Sequence, residues 1–482
     1  MKMAEFHIEH FGCRAARADG EAIAANLRAM SELEPLASDV VIVNTCSVTA
    51  EADRAARAFI RRAHRRNPAA KIVVTGCYAQ RAPEELAAMA GVAAVVGNSH
   101  KALAPGIILN LTRETELTRG AAQAATQLPT LVPVASLLAA SARQFSVGAG
   151  HAPNSTPIWA DDRFAHSFIE DVHWGATQPA PGAQTRPNLK IQEGCGNRCT
   201  FCVIPFTRGP SRSLPHAVVM RQVESFVAVG GKELVLSGIN LGRWGRDLRS
   251  TQESLAGLVR KILEETALPR LRLSSIEPMD WDDALIALMR EFGGTRLARH
   301  AHLPLQSGSD AVLRRMHRRY RPWHYAEKVR ALVEAAGPDL TLGADVMVGF
   351  PGETDSEFEE TLAFIRALPF GYLHLFPFSP RPGTPLHAAA QLAPAVMAKR
   401  MAALRALAAE KSETHRRSFV GRPLEAITLH TSAAGAERGR TTALTENFLP
   451  VKVEGYMSAN QLVRVQISGL SDDSTLLATI LP

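Results

Sequence analysis

Gln192-Glu193-Gly194-Cys195-Gly196-Asn197-Arg198-Cys199-Thr200-Phe201-Cys202-Val203-Ile204-Pro205 is the stretch on which the reading of this chain turns. Its cysteines are separated by three residues and then by two. Three thiolates on one short loop can hold three irons of a 4Fe-4S cube, which leaves the fourth iron open to a small molecule. A structural zinc site is the competing chemistry. Such sites are closed by four ligands, usually as two C-x-x-C pairs, and no second pair follows here.

The other three cysteines are Cys13, Cys46 and Cys77, spaced at nearly equal intervals. Their settings are Phe11-Gly12-Cys13-Arg14, Asn44-Thr45-Cys46-Ser47 and Thr75-Gly76-Cys77-Tyr78. Each closes an expected strand and opens an expected helix. Val40-Val41-Ile42-Val43 and Lys71-Ile72-Val73-Val74 are short runs rich in β-branched residues. Helical patterns follow from about Ala50 to His64 and from Pro83 to Met89. Strand C-terminal ends of an open parallel sheet converge on one crevice, so three thiols from three strand ends can meet. Taken singly, each reads better as a small buried hydrophobe than as a ligand. As a set they read as a second incomplete triplet.

A length of 482 residues implies more than one domain, and 46% hydrophobic content suffices for several cores. No long apolar run suggests a membrane span. The start, Met1-Lys2-Met3-Ala4-Glu5-Phe6-His7-Ile8, lacks a signal-peptide pattern and reads as a first strand. Six cysteines in a chain this long suit a reducing cytoplasm rather than a disulfide scaffold. The net charge of +7 permits an anionic partner such as RNA. Arg54, Arg57, Arg61, Arg62, His64, Arg65 and Arg66 crowd one stretch. Arg314, Arg315, His317, Arg318, Arg319 and Arg321 crowd another. Each run reads as a solvated helix face, with an RNA-facing role as the alternative.

The pattern predicts an α/β protein. Residues 1–111 alternate strand and helix as an open parallel sheet. Residues 112–187 are rich in Ala, Gln, Thr, Ser, Pro and Gly and read as a linker or insertion, with a short element at Leu131 to Leu138. Residues 188–418 carry strands at Leu189-Lys190-Ile191, Glu233 to Leu236, Arg270 to Leu273, His300 to Leu303, Leu340 to Val348 and Tyr372 to Phe376. Helical stretches separate them, and Ala393 to Arg417 closes the set. Six βα units predict a partial (βα)6 barrel with functional loops at the strand C-termini. Residues 419–482 read as a small β-barrel of strands Glu425 to Leu429, Leu449 to Val453, Leu462 to Ile467 and Ser474 to Ile480.

With these motifs in hand, the chain resembles the radical S-adenosylmethionine (SAM) methylthiotransferases over nearly its whole length outside the linker. The Cys195–Cys202 loop is similar to the radical SAM loop. Asn44-Thr45-Cys46-Ser47-Val48-Thr49 and Thr75-Gly76-Cys77 resemble the family's first-domain signatures. Leu303-Pro304-Leu305-Gln306-Ser307-Gly308-Ser309 and Val348-Gly349-Phe350-Pro351-Gly352-Glu353-Thr354 resemble its barrel signatures. Cys46 to Asp53, Leu236 to Gly242 and Phe376 to Thr384 look most like the group acting on threonylcarbamoyladenosine beside the tRNA anticodon. The other groups act on isopentenyladenosine in tRNA or on an aspartate of a ribosomal protein. Two departures stand out. Arg14-Ala15-Ala16-Arg17 follows Cys13 where the family often has a polar pair including Asn, and the linker is longer than the family's usual connection.

The resemblance implies two 4Fe-4S clusters and SAM as cofactors. Cys195, Cys199 and Cys202 would bind the SAM-cleaving cluster and be catalytic. Cys13, Cys46 and Cys77 would bind the cluster that carries sulfur to carbon 2 of the adenine. Ser237, Gly238 and Asn240 would lie at the SAM amino group, with a plain strand-to-helix turn as the alternative. Glu277, Gln306, Ser307 and Asp345 are candidates for SAM ribose or methionine contacts, or for local hydrogen bonding. Phe201 would pack on the adenine or within its own loop. The terminal barrel would be TRAM-like and grip the tRNA anticodon stem-loop. Arg438, Arg440, Lys452 and Arg464 would meet phosphates there. Aromatics are sparse there, with Phe448 and Tyr456 the visible ones, which argues against readout by base stacking. Implied partners are a flavodoxin or ferredoxin as electron donor and a sulfur source. A non-catalytic RNA-binding protein with structural metal sites is the rival from another class, and it has no need of two open triplets.

Overall fold

The computed structural model describes residues 5–33, 36, 38–121, 156–169, 172–175, 184–248, 253–432, 435 and 439–482, without the side chains of 113–121. The expected element at Leu131 to Leu138, most of the expected linker and Arg438 lie outside the described residues. Among those described, no helix is long and apolar enough to cross a membrane.

The chain divides into two units. The first comprises residues 1–173 with 193–196 and 202–210. Its strands are β1 (Phe6–His10), β2 (Val40–Thr45), β3 (Lys71–Gly76), β4 (Val92–Gly97) and β5 (Ile158–Trp159), all parallel and in that order. The helices are α1 (Arg14–Leu33), α2 (Ala50–Arg66), α3 (Cys77–Arg81), α4 (Pro83–Ala87), α5 (Ala104–Ala121) and α6 (Ile204–Arg208). Alternate side chains of each strand feed opposite layers, as a two-residue repeat requires. Val40, Ile42 and Val73 pack with Ile23, Leu27 and Ile108 of α1 and α5. Val43, Ile72 and Val74 pack with Ile60, Tyr78 and Leu86 of α2, α3 and α4. The register sets His10 opposite Asn44 and Thr45 opposite Gly76, so β1, β2 and β3 end level.

The fifth strand falls within the stretch read from sequence as linker. Val95 pairs with Ile158 and Val96 with Trp159. Two residues are too few to leave a periodic signal.

The second unit comprises residues 174–192, 197–201 and 211–482. Strands β6 (Asn188–Glu193), β8 (Glu233–Gly238) and β9 (Arg270–Leu273) run parallel, with β7 (Arg212–Ser213) at the edge. Strands β10 (His300–His302), β11 (Thr341–Val348) and β12 (Phe370–Pro377) form a second parallel set. Ala298 N–H to Leu271 O and Ile276 N–H to His302 O, both 3.0 Å, join the two into a partial barrel. Helices α7 (His216–Ala228), α8 (Leu255–Glu265), α9 (Asp283–Phe292), α10 (Asp310–Arg315), α11 (Pro322–Ala336) and α12 (Asp355–Ala367) connect the strands, and α13 (Pro394–Arg417) follows them.

The terminal barrel is closed by five strands, not the four read from sequence. They are β13 (Pro423–Thr428), β14 (Arg440–Thr445), β15 (Pro450–Glu454), β16 (Leu462–Leu470) and β17 (Leu476–Ile480), in the order β13-β14-β15-β17-β16. Its core holds Leu424, Ala426, Val451, Val453, Val465, Ile467, Leu476 and Ala478. The unread strand is β14. It buries Thr441 and Thr445 on the inner face, so its alternation is carried by threonines that resemble turn residues.

Arginines of β9 join this barrel to the larger one. Glu233 is fully buried and receives Arg272 Nε at 2.8 Å, with Arg270 and Arg186 at 3.4 and 3.3 Å. Arg272 Nη2 also donates to the backbone oxygens of Thr445 and Glu446 at 3.3 and 2.9 Å, and Arg270 pairs with Glu425 at 2.8 Å. Burial by itself would raise the Glu233 pKa. The three guanidiniums reverse this and hold it down at about 2, against an ordinary 4.5.

A carboxylate held low stabilises the fold above its ordinary pKa, and that contribution is lost as pH falls from about 4.5 toward 2. Removing one partner of a buried ion pair costs ~3–5 kcal/mol. Glu233→Gln should therefore lose stability of that order at pH 7 and show a flatter acid limb than the wild type. Denaturant unfolding across a pH series measures both. Wild-type stability at pH 7 would show that the arginines do not depend on Glu233.

Candidate functional site

The level ends of β1, β2 and β3 bring Cys13, Cys46 and Cys77 to one edge of the first sheet. Cys13 is exposed, whereas Cys46 and Cys77 are buried. Gly76 has φ +99, and a β-carbon there would run into the backbone of Thr45, so only glycine turns the chain into Cys77. Thr45 Oγ1 donates to Thr75 O (2.6 Å) and accepts from Ala79 N–H (3.3 Å), tying β2, β3 and α3 together. Arg81 holds the Cys46 loop. Its Nε donates to Ser47 Oγ at 2.7 Å and its Nη2 to Asp53 at 2.8 Å.

Donors surround the sulfurs. Val48 N–H reaches Cys46 Sγ at 3.4 Å. Asn98 Nδ2 and Arg208 Nε reach Cys77 Sγ at 3.4 and 3.2 Å. Burial, then the neighbouring Cys77 and Cys13 thiols, push the Cys46 thiol up to about 12, and Val48 N–H and Arg208 counteract only in part.

The Cys195–Cys202 loop divides between the units, with Cys195 and Cys202 in the first and Cys199 in the second. Gly194 has φ +71 and faces the carbonyls of Gly209 and Pro210, where a side chain does not fit. Cys195 N–H donates to Gly209 O at 3.0 Å. In the second unit, Thr200 is anchored to Met316 O and Arg315 O at 3.3 and 3.0 Å. Arg318 Nη1 donates to Cys199 Sγ at 3.3 Å, and its Nη2 lies 2.6 and 2.5 Å from the two oxygens of Glu277. Arg318 was read as part of a solvated basic run, and this is corrected. It is buried because it is paired with Glu277 and a thiol. Arg314, Arg315 and Arg319 are exposed but paired, with Asp310 at 2.8 Å, Glu357 at 2.8 Å and Asp280 at 3.5 Å. On α2, Arg54, Arg61, Arg62, Arg65 and Arg66 are exposed.

The remaining candidates separate into two kinds. Ser237 is fully buried and its hydroxyl has no partner among the described residues. Gly238 lies against Gln192, whose Oε1 accepts from Asn240 N–H at 2.6 Å. Gln306 has φ 66, and its buried Oε1 is also without a partner. Its backbone N–H is fixed to Asp345 O at 2.8 Å. Asp345 lies 3.4 Å from His302 and 3.3 Å from His374. Burial would raise its pKa, but hydrogen bonds from both histidines take it well below the usual carboxylate range. Phe201 is half-buried in the loop. Ser307 is of the other kind, because its hydroxyl meets Thr361 Oγ1 at 3.0 Å and Ser309 N–H at 3.2 Å and so braces the turn. Glu277 is committed to Arg318.

In the terminal barrel, Arg440 and Arg464 are exposed, and Lys452 pairs with Asp473 at 2.7 Å. Tyr456 is exposed, whereas Phe448 is half-buried, its ring 4.4 Å from that of His300 and under Arg272. Sequence reading missed Gln192, Arg208, Arg318, His302 and His374. Of these, Arg208 and Gln192 carried one signal, their closeness in sequence to the Cys195–Cys202 loop.

Two sets of thiols with N–H donors aimed at sulfur suit thiolate-held iron–sulfur groups. Buried polar atoms without protein partners at Ser237 and Gln306 suit a polar ligand beside one of them.

Comparison with known proteins agrees with this chemistry. Residues 189–365 match the Radical SAM superfamily, and residues 5–97 match the uncharacterized protein family UPF0004. The threonylcarbamoyladenosine tRNA methylthiotransferase MtaB of Aquifex aeolicus is 34% identical, over 89% of this chain and 91% of that protein. The Bacillus subtilis protein of the same name is 33% identical, over 89% and 85%. The tRNA-2-methylthio-N(6)-dimethylallyladenosine synthase of Erythrobacter litoralis is 32% identical, over 96% and 94%. Among solved structures, the radical SAM methyltransferase TsrM of Kitasatospora setae aligns with a TM-score of 0.50 at 15% identity, over 80% of this chain and 74% of that one, a likeness of fold.

Alkylation of the metal-free protein tests the thiol geometry. Exposed Cys13 should react first at pH 8. Cys46 should lag and speed up about tenfold per pH unit up to its high pKa, since the thiolate is the reacting form. Peptide mass spectrometry after timed labelling gives the order, and equal rates for Cys13 and Cys46 would contradict it.

Proposed function

Because the chain belongs to the radical SAM methylthiotransferase family, we propose that it replaces the hydrogen on carbon 2 of threonylcarbamoyladenosine, beside the tRNA anticodon, with a methylthio group. The observation that carries this is the pair of sulfur sites, each with buried donors directed at its thiols, in a chain similar over most of its length to proteins named for that reaction. The functional divisions would be 1–111 for sulfur delivery, 112–187 as insertion, 188–418 for SAM cleavage and 419–482 for RNA.

Cys195, Cys199 and Cys202 would hold the SAM-binding 4Fe-4S cluster, and Cys13, Cys46 and Cys77 a second. When bound, these groups supply a 5′-deoxyadenosyl radical and the sulfur, respectively. The protein does the rest. Arg318 fixes Cys199 against Glu277. Gly238 would let backbone approach the SAM amino group beside Asn240, and the lone Ser237 hydroxyl and Gln306 carboxamide oxygen would offer SAM polar contacts. Asp345, held ionised by two histidines, is an acceptor for a ribose hydroxyl or an ammonium. Phe201 would cover the adenine. A flavodoxin or ferredoxin as electron donor, a sulfur source and a cytoplasmic setting complete the scheme.

The second reading takes dimethylallyladenosine as substrate, supported by the Erythrobacter litoralis relative. Mass spectrometry of tRNA nucleosides from a strain lacking the gene separates the two. Loss of methylthio-threonylcarbamoyladenosine, with its unthiolated precursor accumulating, is expected. Loss of the dimethylallyl derivative instead selects the second reading, and an unchanged profile rejects both.

Cys46→Ala should keep reductive SAM cleavage but form no methylthio product, since only sulfur delivery is removed. Near wild-type product would refute the sulfur-delivering role.

Deleting residues 419–482 would strip buried Arg270 and Arg272 of partners, so point variants are the cleaner test of RNA binding. Arg440→Glu with Arg464→Glu should weaken tRNA binding and flatten its salt dependence by about 0.7–0.9 in log–log slope per lost phosphate contact. SAM cleavage serves as the folding control, and an unchanged slope would move the RNA surface elsewhere.

A further inference from the structure

Arg208 is fully buried, a place a guanidinium rarely takes without acids around it. Its Nη1 donates to Asp19 at 3.1 Å and to Glu193 at 2.8 Å. Lys101 Nζ donates to the same two carboxylates, at 2.6 and 3.1 Å. These four buried groups are neutral as a set, so charge balance accounts for Nη1. It does not account for Nε, which is directed at Cys77 Sγ at 3.2 Å. Asn98 adds a second donor to that sulfur at 3.4 Å, and its amide also donates to Thr207 O at 2.8 Å. Its own Oδ1 is buried without a partner among the described residues. The amide therefore faces the sulfur with its donor side while its acceptor side goes unused. Glu193 lies two residues before Cys195 and Arg208 six after Cys202, so both flanks of the other cysteine loop enter this set.

We propose that Arg208, assisted by Asn98, is a positioning residue that raises the reduction potential of the iron–sulfur centre held by Cys13, Cys46 and Cys77. The inference rests on the proposed function, in which those thiols hold the sulfur-delivering centre. Hydrogen bonds to ligand sulfur, and positive charge beside it, favour the reduced and more negative form of such a centre. A low-dielectric surrounding enlarges the effect of the directed Nε–H. The reaction needs this bias. Joining methanethiolate to a carbon radical, CH3S⁻ + R• → CH3–S–R + e⁻, forms one C–S bond and releases one electron. The oxidised iron–sulfur centre that Cys13, Cys46 and Cys77 would hold would be the acceptor for it. Asp19, Glu193 and Lys101 keep the guanidinium in place.

The test uses the full chain with Cys195, Cys199 and Cys202 changed to Ala, so that only the first centre remains. Iron content of the reconstituted protein confirms loading, and a redox titration followed by electron paramagnetic resonance gives the midpoint potential. Arg208→Lys, which keeps a charge but loses the directed Nε–H, should shift the reduction equilibrium at least about tenfold toward the oxidised form, about 59 mV for one electron. Asn98→Ala should shift it in the same direction by less. Unchanged potentials in both loaded variants would overturn the inference and leave the proposed function standing. If Arg208→Lys does not load, Asn98→Ala decides, since Asn98 lies outside the charged set. A parent protein that binds no iron would instead defeat the proposed function, and this inference with it.

Discussion

Parallel strand pairing is the constraint from which the rest of the first unit follows. Hydrogen bonding in register aligns the C-terminal ends of β1, β2 and β3, and each chain must then turn back over the sheet. Residues at those turns are neighbours in space although far apart in sequence. A set of thiols placed there needs no dedicated loop, only strands that end level and a glycine where the turn is too tight for a side chain. The apolar layers on both faces of the sheet keep that edge rigid.

Charge burial organises both units, to different ends. In the first, Asp19, Lys101, Glu193 and Arg208 neutralise one another while presenting a donor to sulfur. In the second, Glu233 draws Arg270 and Arg272 inward, and these reach the terminal barrel. Such groups add little net stability against a well-packed apolar alternative, but they penalise every arrangement that leaves one of them alone. They make the fold specific rather than merely compact.

What the sequence made legible follows the same division. Two short β-branched runs, each leading toward a cysteine, announced the first sheet, and the spacing of Cys195, Cys199 and Cys202 marked the other thiol set, because strand periodicity and metal-ligand spacing are local signals. The six barrel strands were legible for the same reason. Features that depend on distant partners were not. Arg318 looked like one base among many, since its acid, Glu277, lies on another strand end. Arg270 and Arg272 read as a strand, but nothing near them revealed Glu425 or the Thr445 carbonyl as partners. Strand β5 was too short, and β14 hid its inner face behind threonines. At the candidate site, Ser237, Gly238 and Gln306 stood on recognisable turns, whereas Ser307 shared such a turn and braces it instead.

Cys13 alone among the first three thiols meets solvent, while Cys46 and Cys77 are closed off. Attack by dissolved oxygen follows access to sulfur. Oxidation of the bare thiols would therefore begin at Cys13, without any need for the protein to open. Oxidative wear of this thiol set becomes a property of one exposed corner, separable from the stability of the sheet that carries it.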